Sequence, residues 1–272
     1  MQHLDSGRPQ IVAHRGASER LPEHTLAAYV AALDAGADAL ECDVRLTSDA
    51  HLVCVHDRTV KRTANTAGNV SAMTLRELDR LDFASWKNPW ADLDDEAPAV
   101  DEEAKRVLTA RRLLEVVADY DGRVDLAVES KHPTRYGPFV ERRIADLLTE
   151  FGMHTKGSPV RVMSFSLAAM LRMKRLLPEV ETVFLFDKEY QYHLTKSLPE
   201  KGWMVGPGLK LLKEQPKIGR KLRKHGRRIH VWTANTPHDW DLLCDLGAEA
   251  LITDRPGAAR DYLVGPDRRF PS

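Results

Sequence analysis

Short β-branched runs alternate along this chain with longer amphipathic stretches, the pattern of βα repetition and a parallel sheet. Residues 11–14 read as the first strand, residues 23–35 as its helix and residues 39–44 as the second strand. Further strands are expected at 124–129, 160–165, 182–186, 203–206, 229–233 and 250–253, with helical patterns such as 137–151, 167–177 and 237–246 between them. That makes eight strands of parallel type, the number that closes a TIM (β/α)8 barrel, for which about 250 residues is usual. One barrel domain is therefore expected across residues 1–272.

Residues 52–56 form an additional strand, too close behind the second for a helical crossover, so it should return antiparallel as a hairpin. Residues 58–108 then fit no βα unit. They hold one helical stretch at 74–81, the aromatics Trp86 and Trp90, and an acidic run at 92–103. The expectation is a small insertion over the C-terminal face of the barrel, where enzymes of this architecture do their chemistry. Trp86 and Trp90 read either as the insertion's own small core or as substrate contacts.

Composition narrows the functional classes. Hydrophobic residues make up 43% and charged residues 29%, as in ordinary globular proteins, and 40 basic residues balance 40 acidic ones. No global field then points to nucleic acid or to an anionic membrane. A local cluster at Lys221, Arg223, Lys224, Arg227 and Arg228 reads either as a solvated helix end with its turn or as a phosphate-binding patch. Cys42, Cys54 and Cys244 follow no zinc spacing, and two of them lie in apolar strand-like runs, which fits a reducing compartment. Residues 1–9 lack the apolar stretch of a signal peptide, and no run approaches the roughly 18 apolar residues of a membrane span. A cytoplasmic location is expected.

Polar residues collect where strands end. His14 and Arg15 close the first strand, followed by Gly16. Glu41 and Asp43 lie two apart on the second, so alternation turns both inward and leaves Leu40, Cys42 and Val44 facing helices. Glu129 and Lys131 repeat the arrangement on the next parallel strand, and His56 and Asp57 close the hairpin. Two inward carboxylates repel one another and are costly to desolvate, so something positive must compensate. Either a hard divalent cation, Ca2+ or Mg2+, sits on Glu41, Asp43 and Glu129, or these residues form a salt-bridge network with Arg15 and Lys131. Two histidines beside such a cluster suit proton exchange near neutral pH, while Arg15 and Lys131 supply fixed charge for a phosphate. Lys131 alone would also fit a Schiff-base lysine, but that chemistry does not call for three carboxylates. Trp232, at the end of the seventh strand, is either core or a platform for substrate.

These motifs together resemble the glycerophosphodiester phosphodiesterase family. The resemblance runs through His14-Arg15-Gly16-Ala17, Pro22-Glu23-His24-Thr25, Glu41-Cys42-Asp43-Val44, Val53-Cys54-Val55-His56-Asp57 and Glu129-Ser130-Lys131. It continues in Trp232-Thr233-Ala234-Asn235 and Ile252-Thr253-Asp254-Arg255-Pro256, and so spans about residues 10 to 260. It implies a TIM barrel with a small insertion after the His-Asp motif and a metal-dependent hydrolysis that releases glycerol 3-phosphate and an alcohol. By the same resemblance Glu41, Asp43 and Glu129 are metal ligands, His14 and His56 catalytic, Arg15 and Lys131 phosphate contacts, and Trp232 a substrate-lining residue. Two departures stand out. His24 replaces an asparagine, which should alter hydrogen bonding at the start of the first helix rather than the metal site. The turn Ser48-Asp49-Ala50 lacks the family's glycine; if that glycine serves a positive φ, the hairpin turns differently and His56 is displaced.

The mechanism expected is two-histidine acid–base catalysis, with His14 as base and His56 as acid. The attacking oxygen is either the substrate's own 2-hydroxyl, through a cyclic phosphate, or water. Two other readings remain. One is a phosphodiesterase for lysophospholipid headgroups or phosphoinositides on the same barrel, against which the acidic insertion argues. The other is a non-catalytic phosphodiester-binding protein, against which the complete polar set argues.

Overall fold

In a computed structural model, residues 7–88, 104–120, 123–199 and 203–265 are described. Nine strands form one sheet: β1 (Gln10–His14), β2 (Ala39–Leu46), β3 (Leu52–Cys54), β4 (Asp125–Ser130), β5 (Val160–Ser164), β6 (Glu181–Phe186), β7 (Trp203–Pro207), β8 (His230–Val231) and β9 (Ala250–Thr253). Eight of them run parallel in the order β7-β6-β5-β4-β2-β1-β9-β8. Parallel bridges Val205 to Ile229 and Gly208 to Trp232 join β7 to β8 and complete the ring. The TIM barrel expected from the sequence is therefore the fold, and β3 is the antiparallel addition, pairing Val44 with Cys54.

Period-two alternation sets the two cores. Val12, Ala39, Ala127, Met163, Val183, Leu185, Met204, Ala250 and Ile252 pack inside the barrel. Leu40, Cys42 and Val44 point the other way, into the layer between sheet and helices. On β2, Glu41 and Asp43 thus share the interior face with Ala39. Register does the rest: His14 is opposite Glu41 across β1 and β2, and Asp43 is opposite Glu129 across β2 and β4. Adjacent strands lie about 4.8 Å apart, so this pairing alone brings the polar groups into reach of one another. Helix starts follow local chemistry. Thr25 caps the helix Leu26–Asp34 by accepting from the Ala28 amide. Thr236 and Asp239 form a capping box ahead of Pro237–Leu246.

Among the described residues, the segment after β3 contains the helices Lys61–Ala64 and Leu75–Leu78 and two short 3-10 turns. Its apolar residues form a separate cluster, with Val60, Val70, Leu78, Phe83 and Val107 packed on Val53 and Val55. Trp86 is not among these buried residues; its indole donates to the Phe83 carbonyl at 2.9 Å and lies beneath the Arg62 guanidinium. Trp90 and the acidic run 92–103 lie outside the described residues.

The hairpin takes a positive φ without glycine. Ala50 itself takes the left-handed conformation, φ 66°, and Thr47 Oγ1 accepts from the His51 amide at 2.9 Å. Arg45 then holds the His56 carbonyl through Nε and Nη2 at 2.9 and 2.7 Å, which fixes where His56 stands. A non-glycine residue in this region loses about 1–2 kcal/mol, whereas glycine loses about 0.4–1 kcal/mol more unfolded-state entropy than alanine. Ala50→Gly should therefore raise stability by about 0.5–1 kcal/mol, seen as a higher urea midpoint at unchanged slope. A lower midpoint would contradict the strain.

At the opposite end of the barrel, His230 is fully buried, and its Nε2 stands 3.8 Å from Glu249, beyond hydrogen-bond reach. Burial, and then the charge of Arg161, push its pKa down to about 4. The ring is neutral in the fold, while the unfolded chain protonates below about pH 6.5. Stability should thus fall as pH drops from about 6.5 towards 4, by about 3 kcal/mol from this group. In His230→Leu that part of the acid loss should disappear when urea unfolding is compared at the two pH values; an unchanged pH dependence would refute it.

Candidate active site

The chain leaves β1 through two consecutive left-handed residues, Arg15 (φ 58°) and Gly16 (φ 86°). A Cβ on Gly16 would stand 2.6 Å from the Ala28 backbone, so this exit requires glycine. The sharp turn sends the Arg15 side chain back over the barrel mouth. Its Nε lies 3.0 Å from Asp43 Oδ2 and its Nη1 3.1 Å from Glu23 Oε1. From β4, Lys131 Nζ reaches Asp43 Oδ1 at 3.0 Å and Glu129 Oε1 at 2.8 Å.

Glu41, Asp43 and Glu129 each offer a carboxylate oxygen within 4.8 Å of the others, and all three are buried. Burial raises the pKa of Asp43, but Lys131 and Arg15 outweigh it and hold that carboxyl well below the usual range. Glu129 is pushed up to about 8 by burial and by the Asp43 charge. Glu41 is pushed well above its ordinary value by the same causes. Among the described residues, its carboxylate accepts one hydrogen bond, from the Arg15 amide at 3.1 Å. The salt-bridge network anticipated as the alternative is present, yet it is centred on Asp43 and, among the described residues, leaves Glu41 without an ion pair. Three buried oxygen donors on one face, two of them pushed up by burial and by the third's charge, fit a divalent cation.

Both histidines are oriented by carboxylates. His14 Nδ1 lies 2.6 Å from Asp254 Oδ1, and Asp254 is held by Ser18 Oγ at 2.9 Å and Asn235 Nδ2 at 2.6 Å. Burial opposes ionisation of Asp254, but these bonds bring its pKa down to about 2. His56 Nδ1 lies 2.7 Å from Asp57 Oδ1, and Arg62 donates to Asp57 Oδ2 at 2.7 Å. Asp57 is likewise held at about 2 against the effect of burial. Burial lowers the pKa of His56, with Lys131 and Arg15 adding to it and Asp43 opposing. With Nδ1 engaged in each ring, Nε2 is the atom left to exchange a proton.

His14, Arg15, Glu41, His56, Glu129, Lys131 and Trp232 line one cleft, with Asp43 buried behind them. All eight residues singled out in the sequence thus meet at the C-terminal mouth. Trp232 is half-buried; Nε1 donates to the Gly206 carbonyl at 2.9 Å, and Phe165 meets its ring edge-on at 5.2 Å. One sequence expectation is corrected. His24 has φ 61° and turns inward, placing Nε2 3.0 Å from Asp43 Oδ2 and Nδ1 2.8 Å from the Tyr29 hydroxyl. The start of the helix is capped by Thr25 and is independent of it; what His24 touches is the carboxylate cluster. The Tyr29 hydroxyl also donates to the Glu41 carbonyl at 3.0 Å, so one chain of polar groups connects both carboxylate positions of β2. Asp254, Asn235 and Phe165 carry no role in the sequence reading. Asp254 was findable by the rule that found the others, as an acid directly beyond the end of a barrel strand.

The profile of the glycerophosphoryl diester phosphodiesterase family matches residues 14–258. A protein of Mycobacterium tuberculosis described as probable glycerophosphodiester phosphodiesterase 1 is 41% identical over 263 residues, covering 95% of this chain and 93% of its own length. The Bacillus subtilis glycerophosphodiester phosphodiesterase is 32% identical over 260 residues, covering 93% and 86%. Among solved structures, an Oleispira antarctica phosphodiesterase determined with sn-glycerol-3-phosphate superposes with TM-score 0.76 at 23% identity, covering 94% of this chain and 96% of that one. That likeness speaks for the fold. A glycerophosphodiester phosphodiesterase from Agrobacterium tumefaciens gives 0.70 at 26% identity, covering 92% and 97%. With the profile spanning nearly the whole barrel and these relatives aligned end to end, the chain belongs to the glycerophosphoryl diester phosphodiesterase family.

Proposed function

We propose that this protein hydrolyses glycerophosphodiesters to glycerol 3-phosphate and an alcohol, with His14 and His56 as its acid–base pair. The observation that carries the reading is a pair of histidines in one cleft, each fixed through Nδ1 by a carboxylate, beside three carboxylates and two cations. The activity named for the Mycobacterium tuberculosis and Bacillus subtilis relatives supports it.

In this scheme His14 Nε2 takes the proton of the attacking oxygen, which is either the 2-hydroxyl of the substrate's glycerol or a water. His56 Nε2 gives a proton to the departing alcohol, and the roles exchange if a cyclic phosphate is then opened. Asp254 and Asp57 hold the tautomer each ring needs and stabilise it when it becomes cationic. Arg15 and Lys131 supply the fixed positive charge that a phosphoryl group gains most from as its own charge grows. The Trp232 face provides an apolar wall for the glycerol carbons. Glu41, Asp43 and Glu129 would hold calcium or magnesium, which when bound contributes Lewis acidity towards a phosphoryl oxygen and lowers the pKa of a hydroxyl beside it.

Product analysis on glycerophosphocholine beside lysophosphatidylcholine tests the substrate class. Glycerol 3-phosphate and choline should appear from the first at a rate far above any cleavage of the second. Cleavage of the lysolipid alone would transfer the site to a lipid headgroup reaction.

A further inference from the structure

The helix Pro216–Lys224 lies on the flank of the barrel between β7 and β8 and buries Ile218, Gly219 and Leu222. Lys217, Arg220, Lys221 and Lys224 are all exposed. Their i, i+3, i+4, i+7 spacing sets them in one stripe about 10 Å long. Like charges at this spacing repel, an effect that the helix dipole offsets only for Lys221 and Lys224 in the last turn. Among the described residues none of the four has an acidic partner, and Glu214, just before the helix, is taken up by Lys210 at 3.7 Å. No acidic residue occurs between positions 215 and 230, in a chain whose charges otherwise balance at 40 each. The other basic residues here have structural work. Arg223 donates to the Asp245 carbonyl, Arg227 to the carbonyls of Thr195, Leu198 and Pro199, and Arg228 pairs with Glu181 and Glu249. Of the five residues of the cluster noted in the sequence, Arg223, Arg227 and Arg228 are thus structural, while Lys221 and Lys224 join Lys217 and Arg220 in the stripe. Residues 189–197 border the same helix across a cavity lined by Lys196, Leu222 and His225. That segment leaves Tyr190 69% and Leu194 41% exposed.

We propose that this flank docks on an anionic lipid bilayer. Four unpaired cations in a line match a plane of phosphate headgroups, and each contributes to attraction within a Debye length of it. Tyr190 and Leu194, exposed on the segment that borders this helix, suit the boundary between headgroup and acyl chain, where a tyrosine has both a wet and an apolar side. A nucleic-acid backbone would satisfy the cations but gives Leu194 nothing to bury against. The helix runs down the side of the barrel, so docking leaves the mouth open to a water-soluble diester.

The test is co-sedimentation of the full chain with phosphatidylcholine vesicles containing about one-third phosphatidylglycerol. Pure phosphatidylcholine vesicles and a DNA duplex serve as comparisons. At low salt the protein should partition onto the anionic vesicles, not onto the neutral ones, and more strongly than onto the duplex. It should be released near 1 M salt, where the Debye length is about 3 Å. Combining Lys217→Gln, Arg220→Gln, Lys221→Gln and Lys224→Gln should lower the partition coefficient on the order of 10²–10³-fold. Turnover of glycerophosphocholine should stay at the wild-type rate, which also shows that the variant folds. Lys221→Glu alone should weaken partition roughly tenfold. No partition at low salt, equal binding to neutral vesicles, unchanged binding of both variants, or retention on DNA in place of vesicles would each overturn the proposal.

Discussion

Replacing His14 or His56 with alanine should lower turnover of glycerophosphocholine by roughly 10²–10⁴-fold in each case, with little change in melting temperature. The size follows from the work assigned to a positioned proton donor or acceptor, and the mild effect on folding from location. Both rings sit at strand ends with 18% and 35% of their side-chain surface exposed. Neither fills the apolar core. Each loss should fall mainly on kcat, because proton transfer is made in the transition state and not on binding. The double variant should be little worse than either single one, since a scheme that needs both partners is already broken by losing one. Near-wild-type turnover in both single variants, measured as glycerol 3-phosphate release, would end the acid–base assignment.

Asp43→Ala should have the second large effect, and on two observables at once. Asp43 is 1% exposed and meets Lys131, Arg15 and His24 within about 3 Å. Removing it leaves two cations with less compensation in a buried place, a change worth about 3–5 kcal/mol of folding stability. It also removes one of three metal-ligand candidates, so divalent-cation affinity should fall together with activity. Urea unfolding and calorimetric titration with calcium or magnesium measure the two separately. The sign of the pH effect follows from Asp43's lowered pKa. Its ion pairs stabilise the fold above the unfolded-state value of about 3.9 and are lost as pH falls through the lower folded-state value. Asp43→Ala should therefore lose part of the wild type's acid sensitivity. A variant as stable as wild type with unchanged metal affinity would mean that Asp43 is not the hub described here.

Much of this site was legible because strand alternation is so strict a rule. Once residues 39–46 are a parallel barrel strand, Glu41 and Asp43 must share the inner face with Ala39, and their neighbours Leu40, Cys42 and Val44 must face the helices. The strand-end position of His14 and Lys131 then puts them at the mouth. What could not be read was set by contacts distant in sequence or by unusual backbone. Asp254 reaches His14 across 240 positions, a closure that only the completed ring supplies. His24, in place of the family's asparagine, was expected to bear on hydrogen bonding at the start of the first helix, and it is the positive φ that turns its ring to Asp43 instead. Ala50 shows the reverse case: a residue type that argues against a left-handed turn adopts it, because the β2–β3 pairing and the Arg45 hold on His56 fix both ends of the hairpin. The hand that binds the proton first is likewise unreadable from strand position, since both histidines are oriented in the same way.

The most direct test of the account is glycerol 3-phosphate release from glycerophosphocholine before and after a chelator, followed by return of calcium or magnesium. Turnover should vanish with the chelator and return with one of the two metals in the wild type, but not in Asp43→Ala. Turnover that persists through exhaustive chelation would contradict a metal on Glu41, Asp43 and Glu129, and the absence of any release with either metal would contradict the proposed reaction itself.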